Sequence, residues 1–118
     1  MTFSTPLERD GETKTGPLRA PVQMLAEQSY DDHLSVHDAA TAGSLGLSGA
    51  PIEGPTHFSQ FDPIAVELWG QQWFETGCIS SHFSTMVVEG QHVQAHATRT
   101  TATSASISAV RDDNARVL

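Results

Sequence analysis

Nine residues, Tyr30 to Asp38, hold three carboxylates and two imidazoles: Asp31, Asp32, His33, His37 and Asp38. A carboxylate and an imidazole can hold one water between them and exchange protons with it near neutral pH. Asp32 and His37 stand five places apart, on either side of a predicted helix start. Downstream, Pro51-Ile52-Glu53-Gly54-Pro55-Thr56 reads as a loop that opens a second helix. The backbone N–H of Gly54 would then point at any oxygen that becomes anionic. Pro55 carries no N–H and adds no second donor. Acid, base and backbone donor together make a kit for protonation chemistry beside a carbonyl. The same residues also describe a polar turn in which Asp32 caps and His37 bonds locally. Pattern alone leaves both open.

Other residues near this stretch have two readings each. Glu53 is either a third carboxylate facing the site or a solvent-exposed one. His57, within a turn of the helix start, either reaches the pocket or sits as a satisfied core residue. Trp69, Trp73 and Phe74 form an aromatic patch between helix and sheet, either core or interface or an acyl-chain pocket. His92 and His96 have helical metal-ligand spacing. On a strand they stand about 13 Å apart and cannot share an ion. His33 and His37 with Asp31 or Asp38 would be the better ligand set, yet no second cluster matches them, and no metal is expected. Cys78, the lone cysteine, has no activating base beside it and reads as packing.

Elements must position these groups. At 118 residues the chain is one domain. Its 38% apolar content is low for a self-sufficient globule, so either the ends lack order or a partner completes the fold. Residues 1–17, with Pro6, Gly11, Gly16 and Pro17, read as a flexible N-terminal arm, and 18–118 as the domain. Leu18 to Gln28 suits a first strand, with helix as the rival. Val36 to Leu47 reads as a short alanine-rich helix. Phe58, Phe61, Ala65 and Leu68 form a helical stripe that predicts a buried central helix over 56–69. Asp62-Pro63 makes that segment either one kinked helix or two short ones.

From Gly77 the period becomes two. Ile79 to Val87, His92 to Thr101 and Ser104 to Arg111 read as strands, joined by turns at Glu89-Gly90-Gln91 and Asp112-Asp113-Asn114. In the second, Val93, Ala95 and Ala97 share one face. Arg116-Val117-Leu118 begins a fourth strand, so the natural protein is expected to continue past Leu118, or another edge to supply the pairing. Helices segregated from meandering strands mean α+β.

The net charge of −8, with Lys14 the single lysine, leaves no basic stripe for nucleic acid. No apolar leader or bilayer-length run is present. A cytoplasmic protein with no membrane association is the expectation.

The stretch from Tyr30 to Arg99 resembles the MaoC-like branch of the hot-dog fold, the enoyl-thioester hydratases and dehydratases. That family runs Gly-Asp-x-Asn-Pro-x-His, an alanine-bearing helix, and a His-Gly loop opening the central helix. Asp32 and His37 keep the family's separation. Asp38-Ala39-Ala40-Thr41-Ala42 is similar to the helix, Pro51-Ile52-Glu53-Gly54 to the loop, and Ile79 to Gly90 to the long strand and its turn. Leu34 and Ser35 stand where the family has Asn and Pro, Asp31 where it has Gly, and Glu53 where it has His.

The resemblance implies an antiparallel sheet wrapped around a central helix. It also implies a homodimer, or a pairing with another hot-dog chain. It makes Asp32 and His37 catalytic and Gly54 the oxyanion donor, with Glu53, His57 and Trp69 in the pocket. No cofactor is implied beyond coenzyme A or an acyl-carrier protein as the thioester carrier. The implied reaction is hydration or dehydration of an enoyl or 3-hydroxyacyl thioester. The alternatives are a hot-dog thioesterase and a non-catalytic subunit or ligand-binding module. The lost Asn-Pro favours the last.

Overall fold

The computed structural model describes residues 3–22 and 51–118. Its architecture is α+β, with short helices against one four-stranded antiparallel sheet. The strands are β1 (Glu8–Asp10), β2 (Thr13–Thr15), β3 (Val93–Thr101) and β4 (Ser104–Arg111), in the order β1-β2-β3-β4. Alternation dictates the main hairpin. Val93, Ala95 and Ala97 turn inward from β3 and are buried, as expected, and Ala109 joins them from β4. Ala102 and Thr103 close the loop, and the ladder is irregular between Arg99 and Thr101. A two-residue loop without glycine cannot take the tight mirror-image turns that match strand twist, and a bulge relieves the mismatch.

Residues 8–15, within the segment read as an arm, form a hairpin that joins the sheet through β3. Gly11 takes φ +60° at the first loop position, which places a glycine where a two-residue turn demands positive φ. The ribbon is polar throughout. It is held by backbone pairing, by the Thr13–Thr98 hydroxyl contact at 2.8 Å and by the Arg9–Glu67 ion pair rather than by buried apolar surface. Beyond it, Gly16 and Arg19 continue along β3, pairing with Ala95 and Val93. The rest of the expected first strand, and the helix expected over 36–47, lie outside the described residues.

The central helix is two helices, α1 (Gly54–Ser59) and α2 (Asp62–Trp69), followed by α3 (Gln72–Thr76). Pro63 sits in the first turn of α2, where its missing N–H costs nothing. Asp62 does not cap; its carboxylate accepts the indole N–H of Trp73 at 2.9 Å, tying α3 back to the start of α2. Gly70, at φ +66°, ends α2. Phe61 and Ile64 pack into the core with Val93, Ala95, Ala97 and Ala109. The alanines keep that sheet face low and let the helices approach.

Residues 79–87, expected as a strand, form no ladder among the described residues. The segment bends at Thr85 and pairs only at points. Ser84 N–H donates to the Val117 carbonyl at 2.8 Å, Val87 carbonyl accepts from Ile52 N–H at 2.7 Å, and Val88 bridges Pro51. Ser80, Phe83, Ser84 and Met86 are all exposed in part or in full, so little buried apolar surface enforces a regular register. The expected return strand begins at Arg116, which bridges Val110, and Val117 N–H donates to Ala109 at 2.8 Å. Extended segments thus follow one another as 13–19, β3, β4, 116–118, 84–88 and 51–52. Among the described residues, no helix is long and apolar enough to cross a membrane.

Candidate functional site

The turn from Ile52 to His57 puts two ionisable side chains into the core. Glu53 is 5% exposed and His57 3%. Glu53 has extended backbone, φ −68° and ψ 150°, immediately before α1. Its carbonyl accepts the Thr56 N–H at 3.2 Å, and its carboxylate Oε1 accepts the Thr56 hydroxyl at 2.8 Å. The side chain is therefore folded over the first turn rather than pointing to water. Gly54 opens α1, where first-turn N–H groups have no intrahelical acceptor.

His57 faces inward from the same turn. Its ring lies 5.9 Å from that of Phe83, and the Phe58 ring lies 5.6 Å from the same ring. A Cβ on Gly54 would meet the Phe83 ring at 3.3 Å, so the glycine lets that ring lie against the polar turn. Burial pushes the His57 imidazole below its ordinary range, and the nearby Glu53 carboxylate opposes this with the smaller effect. The ring is neutral at neutral pH. Among the described residues its Nδ1 is buried with no hydrogen-bond partner, as is Gln60 Oε1 one turn on. Buried polar atoms are normally hydrogen-bonded, which sets this turn apart from an ordinary core.

The remaining candidates are placed as follows. Asp32 and His37 lie outside the described residues, as do His33, Asp31 and Asp38. Glu53, Gly54 and His57 share one turn. Trp69 belongs to a different feature, a groove of about 500 Å³ between α2–α3, residues 77–80 and the β3–β4 loop. There Trp69 and Trp73 stack at 6.2 Å, and Trp69 donates its indole N–H to the Ala102 carbonyl at 2.9 Å. Arg99 lies over Trp69 and donates to the Leu68 carbonyl at 2.9 Å. Phe74 stays exposed and contacts Phe3 instead. Cys78, expected as packing, is exposed and lines the groove. Phe61 also lines it, four residues beyond His57 through continuous helical-type backbone.

His92 and His96 are engaged separately, by Asp112 at 3.5 Å and by the Thr15 hydroxyl at 3.0 Å. Among the described residues, no group of three potential ligands could hold a metal. Two members of the site carried no flag in the sequence. Thr56 had one available signal, a hydroxyl three places after a glutamate at a helix start, the reverse of the usual capping pair. Phe83 had none, since its contact depends on how residues 79–87 lie. No family model, curated protein or solved structure matches the chain.

Proposed function

We propose that this chain is a hydratase or dehydratase of an enoyl or 3-hydroxyacyl thioester, built on a hot-dog scaffold and working in the cytoplasm. The observation that carries the reading is the buried turn at the start of α1. Carboxylate and neutral imidazole lie together there, and one ring nitrogen has no partner among the described residues. The order of extended segments supports the scaffold: the residues before β3 on one side, 116–118 and then 84–88 on the other, with the helices packed across them.

In this reading, Asp32 and His37 hold the water, deliver its oxygen to the β-carbon and place its proton on the α-carbon. The Gly54 N–H holds the thioester oxygen as the enolate forms; such a donor is typically worth ~3 kcal/mol of barrier. Glu53, held by Thr56, and His57 form the polar wall, and Trp69 belongs to the chain-binding side. The carrier is coenzyme A or an acyl-carrier protein, and no other cofactor is needed. The working unit is a homodimer or a pair with another hot-dog chain.

A crotonyl thioester tests this. Hydration removes the conjugated enoyl absorbance without releasing thiol. Asp32→Asn is expected to lower that rate ~10²–10⁴-fold, the usual contribution of a positioned acid or base, with melting unchanged. An unaltered rate would end the assignment of Asp32. A second reading, thioester hydrolysis with Glu53 as base, is favoured by the buried carboxylate and would show itself as free thiol. Neither product appearing would leave a non-catalytic subunit.

A further inference from the structure

We infer that the groove beneath Trp69 and Trp73 holds the uncharged hydrocarbon chain of the ligand, so that the preferred thioester carries a medium or long acyl chain rather than a short one. This rests on the thioester reading for the headgroup, but its evidence is separate. The groove measures about 500 Å³, within the range of small-molecule sites. Phe61, Leu68, Trp69, Trp73 and Ile107 wall it. Among the described residues its polar members are hydroxyls, one amide and the Cys78 thiol, and no charged side chain lines it, although the chain carries 14 acidic and 6 basic residues.

A wall without charge disfavours a carboxylate, phosphate or ammonium and favours methylenes, which need no partner. Arg99, which is not among the lining residues, lies over the Trp69 ring and spends its N–H groups on the Leu68 and Ala102 carbonyls. Phe61, four residues from His57, belongs to the groove lining. From Phe61 to Leu68 the helix covers roughly 10 Å at 1.5 Å per residue. A chain whose reactive head lay at the α1 turn would therefore run alongside α2 toward the tryptophans.

The two tryptophans and the single cysteine all line this groove, which gives two readouts independent of catalysis. Titration with n-butanol, n-hexanol, n-octanol and n-decanol should change tryptophan emission, with affinity rising about fourfold per methylene, the equivalent of ~0.8 kcal/mol. Decanol should slow alkylation of Cys78 by iodoacetamide over the same concentration range. Ala105→Phe, which puts a ring into the groove from β4, should remove the chain-length gain; Ala105→Ser, which adds little volume, should keep it and serves if the larger variant fails to fold.

Emission that is flat across the alcohols, or alkylation indifferent to decanol, would overturn the groove assignment. The two readings fail separately. Alcohols that bind while no enoyl thioester turns over would remove the enzyme and keep the groove. Equal kcat/KM for crotonyl and decenoyl thioesters would remove the groove and keep the enzyme.

Discussion

Two clusters of ionisable side chains sit in opposite surroundings. At the turn after β4, Arg111 grips Asp113 with two hydrogen bonds of 2.9 and 2.6 Å, and Asp113 also accepts the Ala115 N–H. The guanidinium holds the Asp113 carboxyl down at about 2, while that side chain stays exposed to water. The cluster clips a turn in which Asn114 takes φ 68°. At the start of α1, Glu53 and His57 are buried, and the His57 Nδ1 has no partner among the described residues. Exposed charges give a turn its shape at little desolvation cost. Buried ones stand against that cost, and here the fold does not recover it in full. Stability explains the first cluster and not the second, which is why function is assigned to the second.

The largest test of this contrast is whether the α1 turn lies on a packed core. Phe61, four residues from His57 and buried, should cost ~3–5 kcal/mol when cut to alanine, read from urea unfolding. A loss below about 1 kcal/mol, the scale of surface substitutions, would mean that water reaches this layer. Glu53 and His57 would then not be desolvated. The next effect is smaller and opposite in sign. His57→Leu removes a buried polar group whose Nδ1 has no partner among the described residues, and should leave stability unchanged or raise it by up to ~1–3 kcal/mol. Thioester turnover should fall in the same protein. A clear loss of stability would show that the imidazole is structural.

Acid sharpens the point further. The folded His57 imidazole titrates below its ordinary value of about 6.5 because burial disfavours its charged form. The unfolded chain then binds the proton first as pH falls. Its favourable contribution is fully present above pH ~6.5 and is lost on acidification below that value, with a slope no steeper than one proton. Urea midpoints measured from neutral pH to mildly acidic pH should show this decline, and His57→Leu should flatten it. Equal slopes in the two proteins would mean that His57 is not desolvated.

How much of this was legible in the residues depends on what each element rests upon. The β3–β4 hairpin rests on its own alternation, and Val93, Ala95 and Ala97 showed their face directly. The break between α1 and α2 was written in Asp62-Pro63, although Asp62 proved to bind Trp73 rather than to cap. The β1–β2 hairpin was hidden by its polarity. Asp10-Gly11 is a hairpin dipeptide, but with no apolar face beside it the segment reads as an arm. Residues 79–87 mislead in the other direction. Their alternation is compatible with any extended chain, whereas a ladder needs a neighbour in register, and here Val117 and Ile52 supply only single contacts. The site divides in the same way. Gly54 was visible as loop chemistry, but the burial of Glu53 and its hold by Thr56 depend on how α1 lies on the sheet, which local sequence does not encode.

The smallest effect belongs to the exposed cluster. Asp113→Asn keeps the shape and hydrogen-bonding capacity of the side chain and removes only its charge. At neutral pH and moderate salt, the melting temperature should move less than for either substitution at the α1 turn, because water and ions screen the pair. The sign with pH also differs from that of His57. The Asp113 carboxyl titrates below its ordinary 3.8, at about 2, so its contribution is present above 3.8 and is lost as pH falls through about 2. Wild type and Asp113→Asn should therefore converge in strong acid, and converge at neutral pH as salt is raised. A salt-insensitive gap comparable to that of Phe61→Ala would show that the β4 turn carries buried electrostatics as well, and the division between a clip at one turn and a chemical site at the other would no longer hold.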